Sequence, residues 1–260
     1  MGKIGICGDS WMSLSFQEIY KGTHFSELLA KENNLELIHY ARQGSSNGAI
    51  CLQIEQAIID KCDIILLGNT TYNRIEYTLE NYLESTMENF DNFTDLEDIT
   101  FNDLAEPSHE SSIRQNKNFK LGNHTIIHIL GNKKHFLYIN ESYGKIKDIE
   151  ELELKYQGIK HWFNYMYNPN WKQQVDRYCI YAVLHKLYMS NIPYVFVFDF
   201  LGIEQNAWLD KPLFGLPFTD HKYKGPGNKD PGYHTTPEQQ KMIYSKVKDI
   251  LLNKGIQINA

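Results

Sequence analysis

Three short runs of apolar and β-branched residues, separated by segments of helical period, occupy the first seventy residues of the chain, and this alternation constrains the fold most. Lys3-Ile4-Gly5-Ile6-Cys7, Leu35 to Tyr40 and Asp63 to Leu67 read as strands. Between them, Thr23 to Asn33 carries Phe25, Leu28 and Leu29 at helical spacing, and Asn47 to about Lys61 carries Ile50, Ile54, Ala57 and Ile58. Asn47 is the expected N-cap of the second helix. Strands that alternate with helices imply βαβ crossovers and a parallel sheet covered on both faces.

The pattern returns late in the chain. Trp171 to Met189 reads as a helix carrying Val175, Tyr178, Ala182 and Leu187, and Pro193 leads into the strand Tyr194 to Phe198. Thr236, Pro237 and Gln239 form a helix start, with an N-cap, a first-turn proline and a capping-box partner. That helix is expected to run to about Asn253, with Gly255 ending it. The reading is a single three-layer α/β/α sandwich over residues 1–260, with a central parallel sheet of the flavodoxin-like kind and an inserted mixed α/β segment at about 76–170.

The segment that interrupts the alternation is acidic. From Glu76 to Ser112 there are eleven acidic residues and no Lys or Arg. Glu76, Glu80, Glu84 and Glu88 recur every fourth residue, the spacing of a solvated helix face, and they also offer a surface to a cationic protein partner. His124 to Leu130 and His135 to Ile139 read as a β-hairpin. His124, His128 and His135 have no cysteine or carboxylate pattern to complete a ligand set, and Asp91 to Asp103 lacks the glycine and terminal glutamate of an EF-hand, so no metal is expected.

Composition excludes several classes. A net charge of −6 lacks the basic face that nucleic-acid binding requires. No apolar run approaches the roughly 20 residues that span a bilayer. None of Cys7, Cys51, Cys62 and Cys179 forms a Cys-x-x-Cys pair, and each lies in an apolar pattern, so four buried free thiols and a reducing cytoplasm are expected.

Chemistry-bearing residues collect in four loops, each following a strand. The first holds Gly8-Asp9-Ser10, the second Arg42-Gln43-Gly44-Ser45-Ser46, the third Gly68-Asn69-Thr70-Thr71-Tyr72-Asn73, and the last Asp230-Pro231-Gly232-Tyr233-His234. In an open parallel sheet this edge is where ligands bind. A serine where a strand breaks can present its hydroxyl near backbone N–H groups that favour developing negative charge, and a distant histidine can take its proton.

These blocks, in this order, resemble the GDSL, or SGNH, hydrolase family. The resemblance covers most of the chain apart from the central segment. It implies Ser10 as nucleophile, His234 as general base and then acid, and the N–H groups of Ser10 and Gly44 as an oxyanion hole completed by an amide from the third loop. The family's asparagine falls where this chain has Thr70, leaving Asn69, one residue earlier, as the favoured donor and Asn73 as the other. The family's aspartate falls at Pro231, so Asp230 is the candidate to orient His234, with a Ser-His dyad or Asp199 as alternatives. Arg42, Asn73 and Tyr233 are candidate substrate contacts, Arg42 and Arg74 flank the oxyanion loops, and the aromatic loop Leu201 to Tyr233 offers an acyl or sugar pocket. The implied activity is hydrolysis of an O-acetyl or other short acyl ester on a carbohydrate or small molecule, without a cofactor. The alternative is a weak or inactive member of the fold that binds glycan or a protein.

Overall fold

The structure, a computed structural model, describes residues 1–13, 22–42, 44–72, 74–78, 100–101, 104, 126–130, 149–203 and 237–256. Strand β1 (Lys3–Cys7) sends Ile4 and Ile6 into one apolar cluster and Cys7 into another, on the opposite side of the sheet. Helix α1 (Phe25–Glu32) leads to β2 (Glu36–His39), and α2 (Asn47–Ile59) leads to β3 (Ile64–Gly68). In β3 the same two-residue period divides Ile64 and Leu66 from Ile65 and Leu67.

Four strands form an all-parallel sheet in the order β2-β1-β3-β6, where β6 is Tyr194–Phe198. Helix α1 packs against α5 (Pro237–Asn253), and both contribute to the cluster built on Ile4, Ile6, Leu66 and Val197. Helices α2 and α4 (Pro169–Met189) cover the other face with Ile50, Ile54, Ile180, Val183 and Leu187. Both sheet faces are therefore buried, which is why the strands read as apolar runs rather than as alternating ones. The layout is α/β and compatible with a flavodoxin-like arrangement.

Local chemistry sets the helix starts. His24 caps α1 by accepting from the Ser26 N–H, while Glu27 returns a bond to the His24 N–H. Ser46, not Asn47, is the N-cap of α2 and accepts from the Ala49 N–H. Asn47 is instead drawn into a buried network described below. Asn168 caps α4, with Pro169 in its first turn.

Outside the main sheet, β4 (Arg74–Thr78) pairs antiparallel with β5 (Ile126–Leu130), with Glu76 opposite His128. The acidic spacing that begins at Glu76 therefore does not begin a helix. Pairing with a strand some fifty residues away overrides that spacing. Glu80, Glu84, Glu88, His124 and the second strand expected at His135 to Ile139 lie outside the described residues, as does Thr236. Helix α3 (Ile149–Tyr165) precedes α4.

Two further expectations are corrected. Tyr178 is 59% exposed, and the residues of α4 turned inward are Asp176, Ile180, Val183, Leu184 and Leu187. Apolar residues surround most of this helix, and of Val175, Tyr178, Ala182 and Leu187 it is Leu187 that is buried. Cys7, Cys51 and Cys62 are buried free thiols, but Cys179 is exposed on α4.

Candidate active site at the sheet edge

The chain runs from β1 outward to β2, then back past β1 to β3. This reversal makes a topological switch point between β1 and β3, where connecting loops diverge and leave a crevice at the carboxyl ends of the strands. The turns that carry Ser10, Gly44 and Asn69-Thr70 all follow strands at this edge.

The turn after β1 is held from below by Met12. Gly8 sits at φ +154, and a Cβ there would lie 2.4 Å from Met12 Cγ and 3.0 Å from the Gly68 carbonyl oxygen. Gly68, at the end of β3, leaves room for the same side chain, since its own Cβ would lie 2.9 Å from Met12 Cγ. Met12 is fully buried. Two strand ends thus accommodate one thioether, and the turn between them has little freedom to shift.

Asp9 is buried, and its carboxylate knits the turns together. Oδ1 accepts from the Trp11 N–H at 3.0 Å, and Oδ2 accepts from Thr70 Oγ1 at 2.9 Å and from Arg74 Nη1 at 3.0 Å. Arg74 Nη1 also donates to the Ser45 carbonyl at 2.9 Å. Gln53, buried on α2, donates to Ser45 Oγ at 2.9 Å and accepts from the Gly8 N–H at 2.7 Å. On the other side, Asn47 accepts from the Thr70 N–H at 2.8 Å, and its Nδ2 lies 2.9 Å from both the Thr70 carbonyl and Asp176 Oδ2. Asp176 pairs in turn with Lys172, and burial raises its carboxyl above the usual range against the opposing pull of Lys172 and Asn47. Buried polar groups that are satisfied in this way rigidify a site.

Among the sequence-predicted residues, Ser10 is half-buried on the β1 turn, and Gly44 stands at φ +74 on the β2 turn. The two turns are joined by the Arg42 N–H, which donates to the Gly8 carbonyl at 3.1 Å. Among the described residues, neither the Ser10 hydroxyl nor the N–H groups of Ser10 and Gly44 have a hydrogen-bond partner. Asn69 is buried and structurally engaged: Nδ2 donates to Asp199 Oδ1 at 2.5 Å, and Oδ1 accepts from Phe200 N–H at 2.6 Å and Leu201 N–H at 3.2 Å. A bulge between Leu67 and Gly68 shifts the pairing with β6 at this point. Arg42 is buried, donating to the Leu104 carbonyl at 2.5 Å with its guanidinium 4.2 Å from the Phe101 ring centroid. Asn73, Asp230, Tyr233 and His234 lie outside the described residues.

Arg74 pairs with Asp9 rather than with the nearby Glu76, which accepts from the Gly48 N–H at 3.1 Å and lies 3.7 Å from Lys172. Sequence reasoning passed over Asp9, Gln53, Asn47 and Asp176 as site-building residues. The available signal was a polar side chain at an otherwise apolar helical position, which holds for Asn47 and Gln53 on α2. Burial raises all four thiols above the ordinary cysteine range, so none is a ready thiolate. Among the described residues no group of three or more side chains is placed to hold a metal ion, and no helix is long and apolar enough to cross a membrane. Comparison with protein-family models, curated proteins and solved structures returns no match to this chain.

Proposed function

We propose that the chain is a serine esterase of the SGNH type acting at the crevice between the β1 and β3 turns. The observation that carries this reading is the contrast within the site. The Ser10 hydroxyl and the Ser10 and Gly44 N–H groups have no partner among the described residues, while Asp9, Ser45, Asn69 and Thr70 behind them are tied into hydrogen bonds. Ser10 Oγ attacks the ester carbonyl, His234 accepts its proton and returns it to the leaving alkoxide, and Asp230 or Asp199 orients the imidazole. Water activated by His234 then releases the acyl group from Ser10 as the acid. The two N–H groups receive the oxyanion. An O-acetyl or other short acyl ester on a carbohydrate or small molecule is the substrate class, in keeping with the aromatic residues of the loop before His234.

Among the described residues of the third loop, the Asn69 amide is turned to Asp199 and the Thr70 hydroxyl to Asp9. This leaves Asn73 as the amide to complete the oxyanion hole, and without such a donor turnover is expected to be about 10²–10³ lower. Labelling with a fluorophosphonate, followed by mass spectrometry, tests the assignment. The label is expected on the peptide that carries Ser10, lost in Ser10→Ala and strongly reduced in His234→Ala, with the melting temperature unchanged. Equal labelling of Ser10→Ala would remove Ser10 as nucleophile.

A further inference from the structure

Helix α4 buries one side against α2 and presents a second ordered stripe on the opposite side. Trp171, Tyr178 and His185 recur every seven residues, and so do Gln174, Tyr181 and Tyr188. On a helix the two series interleave at alternating steps of three and four, the spacing of a coiled-coil seam. Trp171 is 65% exposed, Tyr178 59%, Tyr181 49% and Tyr188 74%. The stripe contains no Asp, Glu, Lys or Arg. Aromatic enrichment with no charge is the composition of an interface centre, whereas the outer face of a solvated helix carries charges.

We propose that this stripe is a homodimer interface in which α4 pairs antiparallel with α4 of a second copy about a two-fold axis. An isologous contact requires a surface complementary to itself. Antiparallel pairing centred between Cys179 and Ile180 sets Trp171 against Tyr188 of the other copy, Gln174 against His185, and Tyr178 against Tyr181. Aromatic meets aromatic, and the two polar residues meet each other with a donor and an acceptor on each side. Opposed helix dipoles favour the same direction. At about 200 Å² per aromatic side chain, the four exposed rings alone offer about 500 Å². Gln174, His185 and the flanking Met189 bring this to about 700–800 Å², close to the ~800 Å² per partner of a stable interface. The surface lies on the side of α4 away from α2, so dimerisation is independent of the esterase reading.

Sedimentation velocity and light scattering on the full chain up to about 100 μM test the proposal. The expected species has twice the 30.4 kDa mass of the chain. Tyr178→Glu with Tyr181→Glu places four carboxylates at the axis and is expected to weaken dimerisation at least about 100-fold, with an unchanged circular dichroism spectrum. Tyr178→Lys, read in the same way, covers the case in which the double variant misfolds. Orientation is read by oxidation: Gln174→Cys together with His185→Cys forms an inter-chain disulfide, and Gln174→Cys alone does not. A wild-type chain that stays at monomer mass, as it would if its own other segments covered the stripe, overturns the proposal. So does a dimer that survives the charge substitutions, or one that cross-links through Gln174→Cys alone.

Discussion

Replacing Asp9 by alanine removes the residue on which the β1, β3 and β4 segments converge, and its cost can be worked from the geometry. The carboxylate is 2% exposed and accepts three bonds of 2.9–3.0 Å, one of them from the Arg74 guanidinium. Alanine leaves Arg74, whose side chain is 12% exposed, with a buried positive charge and, among the described residues, only the Ser45 carbonyl to face. It also removes the acceptor of the Thr70 hydroxyl and of the Trp11 N–H. Removing one partner of a buried ion pair costs about 3–5 kcal/mol, a large share of a typical 5–15 kcal/mol folding stability. With a urea m-value near 3 kcal/mol/M, the midpoint is expected to fall by about 1–1.7 M. Adding Arg74→Met removes the stranded charge, so the double variant should be more stable than the sum of the two single losses implies, by about 1–3 kcal/mol. Fluorophosphonate labelling at Ser10 is expected to fall with the loosened turn even well below the midpoint. A loss under about 1 kcal/mol, or simple additivity with Arg74→Met, would refute the view that Asp9 organises this edge.

Other expectations bear on separate parts of the molecule. Gly8→Ala places a methyl group within 2.4 Å of Met12 Cγ at a φ of +154; a cost of about 2–4 kcal/mol follows, lowering the melting temperature by roughly 5–12 °C, and a drop below about 2 °C would show that Met12 yields freely. Burial lowers the pKa of His39 to about 3, and burial, then the neighbouring His39, lowers that of His24. The unfolded chain therefore takes up these protons first, near pH 6.5. Their effect on stability is absent above that value and grows by about 1.4 kcal/mol per pH unit per histidine as pH falls toward 5. Urea melts of His39→Leu should show a shallower slope over that range, and an unchanged slope would place the proton uptake elsewhere.

The elements were legible wherever the signal is local. The strands at Lys3, Glu36, Ile64 and Tyr194 and the helices ending at Glu32, Ile59, Met189 and Asn253 follow from runs, caps and prolines within a few residues of one another. Because β1, β3 and β6 are apolar on both faces, their composition alone signals a parallel sheet covered by helices on both sides. The edge of the sheet that gathers Ser10, Gly44 and Thr70 follows from that order as well. Tertiary structure decided what depends on partners distant in sequence. Glu76 keeps a four-residue acidic spacing, yet its segment is a strand because β5 supplies the hydrogen bonds. Arg74 selects Asp9 over the closer Glu76, since only the fold brings the two segments within 3.0 Å. Asn69 turns its amide to Asp199, 130 residues away, because a bulge at Gly68 resets the register with β6. On α4, apolar residues on nearly every side identify a helix without saying which side faces the sheet, and packing against α2 settled that. Periodicity and capping are written along the chain, whereas charge pairing and the choice of buried face are settled by which segments meet in three dimensions.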